Sequence, residues 1–96
     1  MNPLIELQEW YASHCDGDWE HSHGIRIESL DNPGWLLQID LSGTEVESAE
    51  FEPILIDTGM GSWANIQIKE DVWQAACDPR GLEAAIKTFL EWTRRA

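Results

Sequence analysis

Positive charge is what this chain has least of. Six Lys and Arg stand against eighteen Asp and Glu in 96 residues, a formal net charge of −12. The shortage is local: residues 1–57 carry thirteen acids and a single base, Arg26, whereas residues 58–96 carry five of each and sum to zero. Such a field repels nucleic acid and anionic membrane, and it steers a basic partner toward the first half of the chain. No uninterrupted apolar run exceeds four residues, too few to cross a bilayer. The opening MNPLIELQEW has neither the basic nor the apolar region of a secretory signal, so a cytoplasmic location is expected. Cys15 and Cys77 make no disulfide framework and are expected as free thiols, with Cys77 buried. CxxC, HExxH and calcium-loop spacings are absent as well.

What is present suits one small soluble domain. Apolar residues make up 43% of the chain, and six of them are tryptophans, at positions 10, 19, 35, 63, 73 and 92. Asn2 is a favourable N-cap and Pro3 a favourable first helical residue. Leu4, Leu7, Trp10, Tyr11 and His14 then follow at spacings of three and four, so residues 3–14 are predicted to be an amphipathic helix. Gly17 helps to end it. Alternation predicts strands over roughly 24–30 and 35–41, joined at Asn32-Pro33-Gly34, where Pro33 presets φ and Gly34 is expected to supply a positive φ. Residues 44–57 are ambiguous: Thr44 and Val46 suit pairing, Phe51 to Ile56 resembles a strand, and Pro53 suggests an edge or a bulge. Asp57 to Ser62 is expected as a loop, Trp63 to Lys69 as a strand, Glu70-Asp71 as a tight turn, and Val72 to Ala76 as a short strand. Asp78-Pro79 fits an N-cap and first residue for a helix over 79–94, whose Arg94 and Arg95 complement the helix dipole. The order predicts an α+β domain: an antiparallel sheet of four or five strands with the N- and C-terminal helices packed on one face.

The stretch Cys15 to Gly24, CDGDWEHSHG, concentrates the chemistry-bearing residue types. His14, Cys15, Asp16, Asp18, His21 and His23 are metal ligands by type, with no recognised ligand spacing. Cys15 is a candidate nucleophile, but it follows a helix C-terminus and adjoins Asp16 and Asp18, which disfavours the thiolate. Nothing supplies a phosphate cradle or a cluster of oxyanion donors. No catalytic residue, metal or cofactor is therefore assigned; a small metal-binding or thiol-dependent enzyme using the Cys15–His23 loop is the alternative reading. One tryptophan falls in nearly every element, as core packing requires. Trp19 and Trp35 adjoin polar turns, and a half-exposed tryptophan ringed by acids is a typical binding anchor.

LQEWY, CDGDWEH, GIRIESLDNPGW, QIDLSGT, the Asp78-Pro79 helix start and the closing FLEW resemble the Imm53-type immunity proteins of bacterial polymorphic toxin systems. The similarity spans residues 7 to 92. One departure is Gly81, where the family tends to have asparagine. The resemblance implies a cytosolic inhibitor that binds and neutralises a cognate secreted toxin, without catalysis. Together with the charge it makes a toxin domain, a basic nuclease by preference, the expected partner, and not nucleic acid or membrane. The residues expected to meet it are Asp16, Asp18, Trp19, Glu20, Asp31, Trp35, Glu45, Glu47, Glu50 and Glu52.

Overall fold

A computed structural model describes residues 2–96. Helix α1 (Pro3–His14) begins where expected, because the Asn2 side chain accepts the N–H groups of Leu4 and Ile5. A single-turn helix α2 (Trp19–Ser22) leads into strands β1 (Ile25–Leu30) and β2 (Gly34–Asp40). Strands β3 (Ile54–Asp57), β4 (Trp63–Lys69) and β5 (Val72–Cys77) follow, then helix α3 (Leu82–Arg95). The sheet order is β1-β2-β5-β4-β3, and every neighbouring pair is antiparallel. This is the α+β architecture read from the sequence.

The register explains the core. Ile27, Leu37, Ala75, Ile66 and Ile54 stand in one cross-strand row, and Ile25, Ile39, Trp73 and Ile68 in the next. Since alternate strand residues face opposite ways, both rows lie on the face that meets Leu7 of α1 and Ile86, Phe89 and Leu90 of α3. Trp73 is fully buried at the centre, with Phe51 and Phe89 edge-on to it at 5.7 and 5.1 Å. The opposite face carries Arg26, Gln38, Gln74 and Gln67 in one row, tied by side-chain hydrogen bonds from Arg26 to Gln38 and from Gln38 to Gln74. Among the described residues no helix is long and apolar enough to cross a membrane.

Three local expectations are corrected. Asp78 does not cap α3. Its carboxylate accepts the N–H groups of Arg80 and, across the chain, of Trp63, which holds the start of β4, and the helix begins later, with Gly81 as a cap that has no side chain to offer. Residues 41–53 form no strand: after turns at 42–48, Val46 is fully buried and Phe51 packs edge-on against Trp73 and Trp92, so tertiary burial fixes this segment. Gly34 has no positive φ, and the Asn32–Pro33 peptide is cis. Glycine is needed at 34 for close approach instead, because a Cβ there would strike the Cys77 carbonyl oxygen and lie 3.1 Å from the Trp63 ring.

Gly34→Ala is therefore expected to destabilise the fold by about 2–3 kcal/mol, as overpacking against backbone does. Urea denaturation followed by tryptophan fluorescence measures it. A loss below about 0.5 kcal/mol, the range of neutral surface changes, would mean that the β2–β5 spacing is not set by this contact.

Candidate functional site

The Cys15–Gly24 stretch is a hydrogen-bonded loop rather than a ligand set. Asp16 Oδ1 accepts the N–H groups of Asp18 and Trp19, both at 2.9 Å, and Glu20 returns the favour by accepting those of Asp16 at 3.0 Å and Gly17 at 2.8 Å. This reciprocal arrangement closes the turn ahead of α2 and satisfies the N–H of Trp19, its first residue, although the N-cap Asp18 makes no side-chain bond. Asp16 and Glu20 are both held below the usual carboxylate range, chiefly by backbone N–H donors: those of Trp19 and Asp18 for Asp16, its own for Glu20. The Cys15 thiol donates back to the Tyr11 carbonyl at 3.3 Å, and Cys15 is exposed while Cys77 is buried.

The loop delivers Trp19 inward. Trp19 is 7% exposed, not half-exposed as its polar neighbours suggested. Its ring is enclosed by Trp10, Tyr11 and His14 of α1 and stacks on His23 at 5.8 Å with 14° between the planes. Its Nε1 donates to the Ser42 carbonyl at 2.7 Å. The ring edge also explains Gly43, which has φ +80 and whose Cβ, were there one, would sit 3.0 Å from Trp19 Cδ1.

A second clamp lies beside the first. One oxygen of Glu45 accepts Trp10 Nε1 at 2.9 Å, and the other meets His14 Nε2 at 2.6 Å. Burial alone would raise the Glu45 pKa, but hydrogen bonds from its own N–H, His14 and Trp10 outweigh it and the net direction is downward. Glu47 accepts the Gly43 N–H at 2.6 Å. The 15–23 loop and the 41–47 turns are thus one unit, and two acidic stretches far apart in sequence share one end of the sheet.

The ten expected contact residues divide accordingly. Asp16, Glu20, Glu45 and Glu47 hold backbone or ring N–H groups, and Trp19 is buried. Asp18, Glu50 and Glu52 are exposed, and no side-chain hydrogen bond engages their carboxylates among the described residues. Asp31 is exposed in the β1–β2 turn, and Trp35, half-buried, donates Nε1 to the Pro79 carbonyl at 2.9 Å. Both lie at the other end of the sheet, about 20 Å away along the seven residues of β2. Among the described residues no three His, Cys, Asp or Glu side chains converge on one point.

Sequence reasoning missed one feature. An apolar cleft of about 340 Å³ opens between β3–β4 and α3, lined by Ile54, Ile56, Ala64, Ile66, Ala84 and Thr88 among others. Leu55, Ile56 and Met60 beside it are 80%, 49% and 90% exposed. The signal was the ILI run after Pro53, which marks an edge strand; that no helix covers it is a tertiary fact.

Trp19→Ala is expected to cost about 3–5 kcal/mol in urea unfolding, the range for a buried tryptophan, and Trp19→Phe clearly less. A cost under about 1 kcal/mol for the alanine variant would show that Trp19 does not lock the loops. Acid should unlock them. Because the folded values of Asp16, Glu20 and Glu45 lie below the unfolded 3.8 and 4.5, their contribution is present above those values and is lost as pH falls through the folded ones. Thermal stability is expected to hold down to about pH 5 and decline below about pH 4, with Asp16→Asn flattening the decline. Identical acid slopes for the two proteins would remove Asp16 from this account.

A family model described as Immunity protein 53, Imm53, matches residues 4–94, nearly the whole chain and every element of the fold. No curated protein and no solved structure matches it. The carboxylate-capped loop, the tryptophan lock and the sheet they close are therefore those of a member of the Imm53 immunity-protein family.

Proposed function

We propose that this protein acts in the cytoplasm as the antidote to a cognate toxin, a basic nuclease by preference, which it neutralises by direct binding at its acidic end and without catalysis. Membership of an immunity-protein family supplies the general class, a protein partner that is a toxin. One observation carries the rest: the 15–23 and 41–53 loops, locked together through Trp19 and held to α1 through Glu45, contain no Lys or Arg between them. Acids that would otherwise be scattered along the chain act as one patch.

The chemistry of such a patch suits a nuclease. A nuclease site that binds the phosphate backbone is lined with cations, and a rigid array of carboxylates imitates that charge. Long-range attraction accelerates encounter and orients it, while close contacts set the lifetime of the complex. Asp18, Glu50 and Glu52 have carboxylates free to meet the partner's cations. Asp16, Glu20, Glu45 and Glu47 add to the field while their oxygens hold the loops. Asp31 and Trp35, at the far end of a body 43 Å long, join the contact where the toxin reaches along the sheet. Trp19 supports the surface from beneath.

The test uses the toxin domain encoded beside this protein and the triple variant Asp18→Lys, Glu50→Lys, Glu52→Lys, which leaves both clamps intact. The association rate at low salt is expected to fall about tenfold or more, with a flatter salt dependence and a dissociation rate changed much less. Unchanged kinetics would take the acidic end out of the mechanism. Failure of the wild-type chain to bind or inhibit the toxin domain would sink the antidote reading itself.

A further inference from the structure

The acidic 41–53 segment runs directly into β3, and β3 is an open edge of the sheet. Which backbone groups it leaves free follows from the register. The Thr58 N–H donates to the Ser62 carbonyl at 3.0 Å, and Ile56 pairs with Ala64 and Ile54 with Ile66. Hydrogen-bonded and non-hydrogen-bonded pairs alternate along an antiparallel ladder. Ile54 and Ile56 therefore turn their N–H and C=O groups to β4, and Leu55 and Asp57 turn theirs outward. Beneath this edge lies the cleft of about 340 Å³, into which Ile54 and Ile56 project and which Ala84 and Thr88 of α3 close on the far side.

We propose that β3 is a docking edge for an extended segment of the partner toxin, which adds as a sixth strand and places alternate apolar side chains in the cleft. The proposal rests on the antidote reading for the identity of the partner. Charge selects the occupant. Residues 27–68 contain no Lys or Arg, and Glu50, Glu52 and Asp57 flank or belong to the edge. Arg80 is the one base lining the cleft, and Asp78 beside it offsets it. A second copy, paired antiparallel about the middle of β3, would bring Glu52 of one chain close to Asp57 of the other and join two bodies of charge −12. Exposed edges are commonly guarded by lysine or proline. Here Pro53 closes the start of the strand, and acids guard the rest: they repel another copy of the chain and admit a basic strand. Such addition combines main-chain hydrogen bonds with side-chain pockets. Continuity with Glu50 and Glu52 places the steered partner against the edge.

The experiment is amide hydrogen exchange on the full chain, alone and mixed with the toxin domain encoded beside it. The Leu55 and Asp57 amides are expected to slow at least tenfold in the complex. Leu55→Pro deletes the outward donor but no β3–β4 hydrogen bond, and is expected to raise the dissociation rate about tenfold while leaving the salt dependence of association unchanged. A complex in which those two amides exchange as in the free chain would overturn strand addition and leave the acidic end standing. Absence of any complex would overturn both. Sedimentation showing a dimer of the isolated chain that Leu55→Pro abolishes would assign the edge to a second copy and refute the proposal. If Leu55→Pro does not fold, the exchange measurement on the wild-type chain decides alone.

Discussion

One hydrogen bond, from the Trp19 indole to the Ser42 carbonyl at 2.7 Å, ties the two halves of the acidic end together. Burying the ring removes a large apolar surface from water, and the carbonyl satisfies the one polar atom that burial would orphan. Around it the order of dependence is clear. Asp16 and Glu20 shape the turn that presents the ring, α1 supplies the aromatic walls, and Gly43 leaves room for its edge. Glu45 then fastens the second loop to α1 through Trp10 and His14.

This arrangement qualifies what net charge means here. A count of −12 suggests a uniformly repulsive surface, yet several of the carboxylates are engaged with backbone N–H groups. In Asp16 and Glu20 that engagement holds the charge more firmly, and it also orders the chain that carries it. Like charges can be crowded on one end because Asp16, Glu20, Glu45 and Glu47 offset part of the repulsion with local structure.

The legible parts of the fold were those fixed by neighbours in sequence. Asn2 and Pro3 start α1 by capping it locally, and the Ile25–Ile27 and Leu37–Ile39 alternations put those residues on the inner face. The reading failed where a residue answers to something distant. Asp78 resembles an N-cap, but its second oxygen is claimed by Trp63, fifteen positions earlier. Val46 and Phe51 are held by the core rather than by pairing. At the site, the residue types of the Cys15–Gly24 loop leave open whether it is structural or functional, and Trp19 is buried rather than half-exposed, because polar sequence neighbours do not reveal which side of a turn a ring occupies. Pro53 points to the β3 edge in the sequence, but the cleft beneath it is not legible there, because whether a strand is covered depends on where helices land.

The inward loyalty of the loop residues bears on how such a protein can diversify. Within CDGDWEH, the backbone-binding Asp16 and Glu20 and the buried Trp19 are committed to the frame, and within DNPGW, Gly34 is committed by its approach to Cys77. Much of the strings that mark the lineage is thus scaffold. The side chains of Asp18, Glu50, Glu52 and Leu55, by contrast, owe the fold almost nothing. A lineage built this way can substitute at such exposed positions while the frame stays fixed.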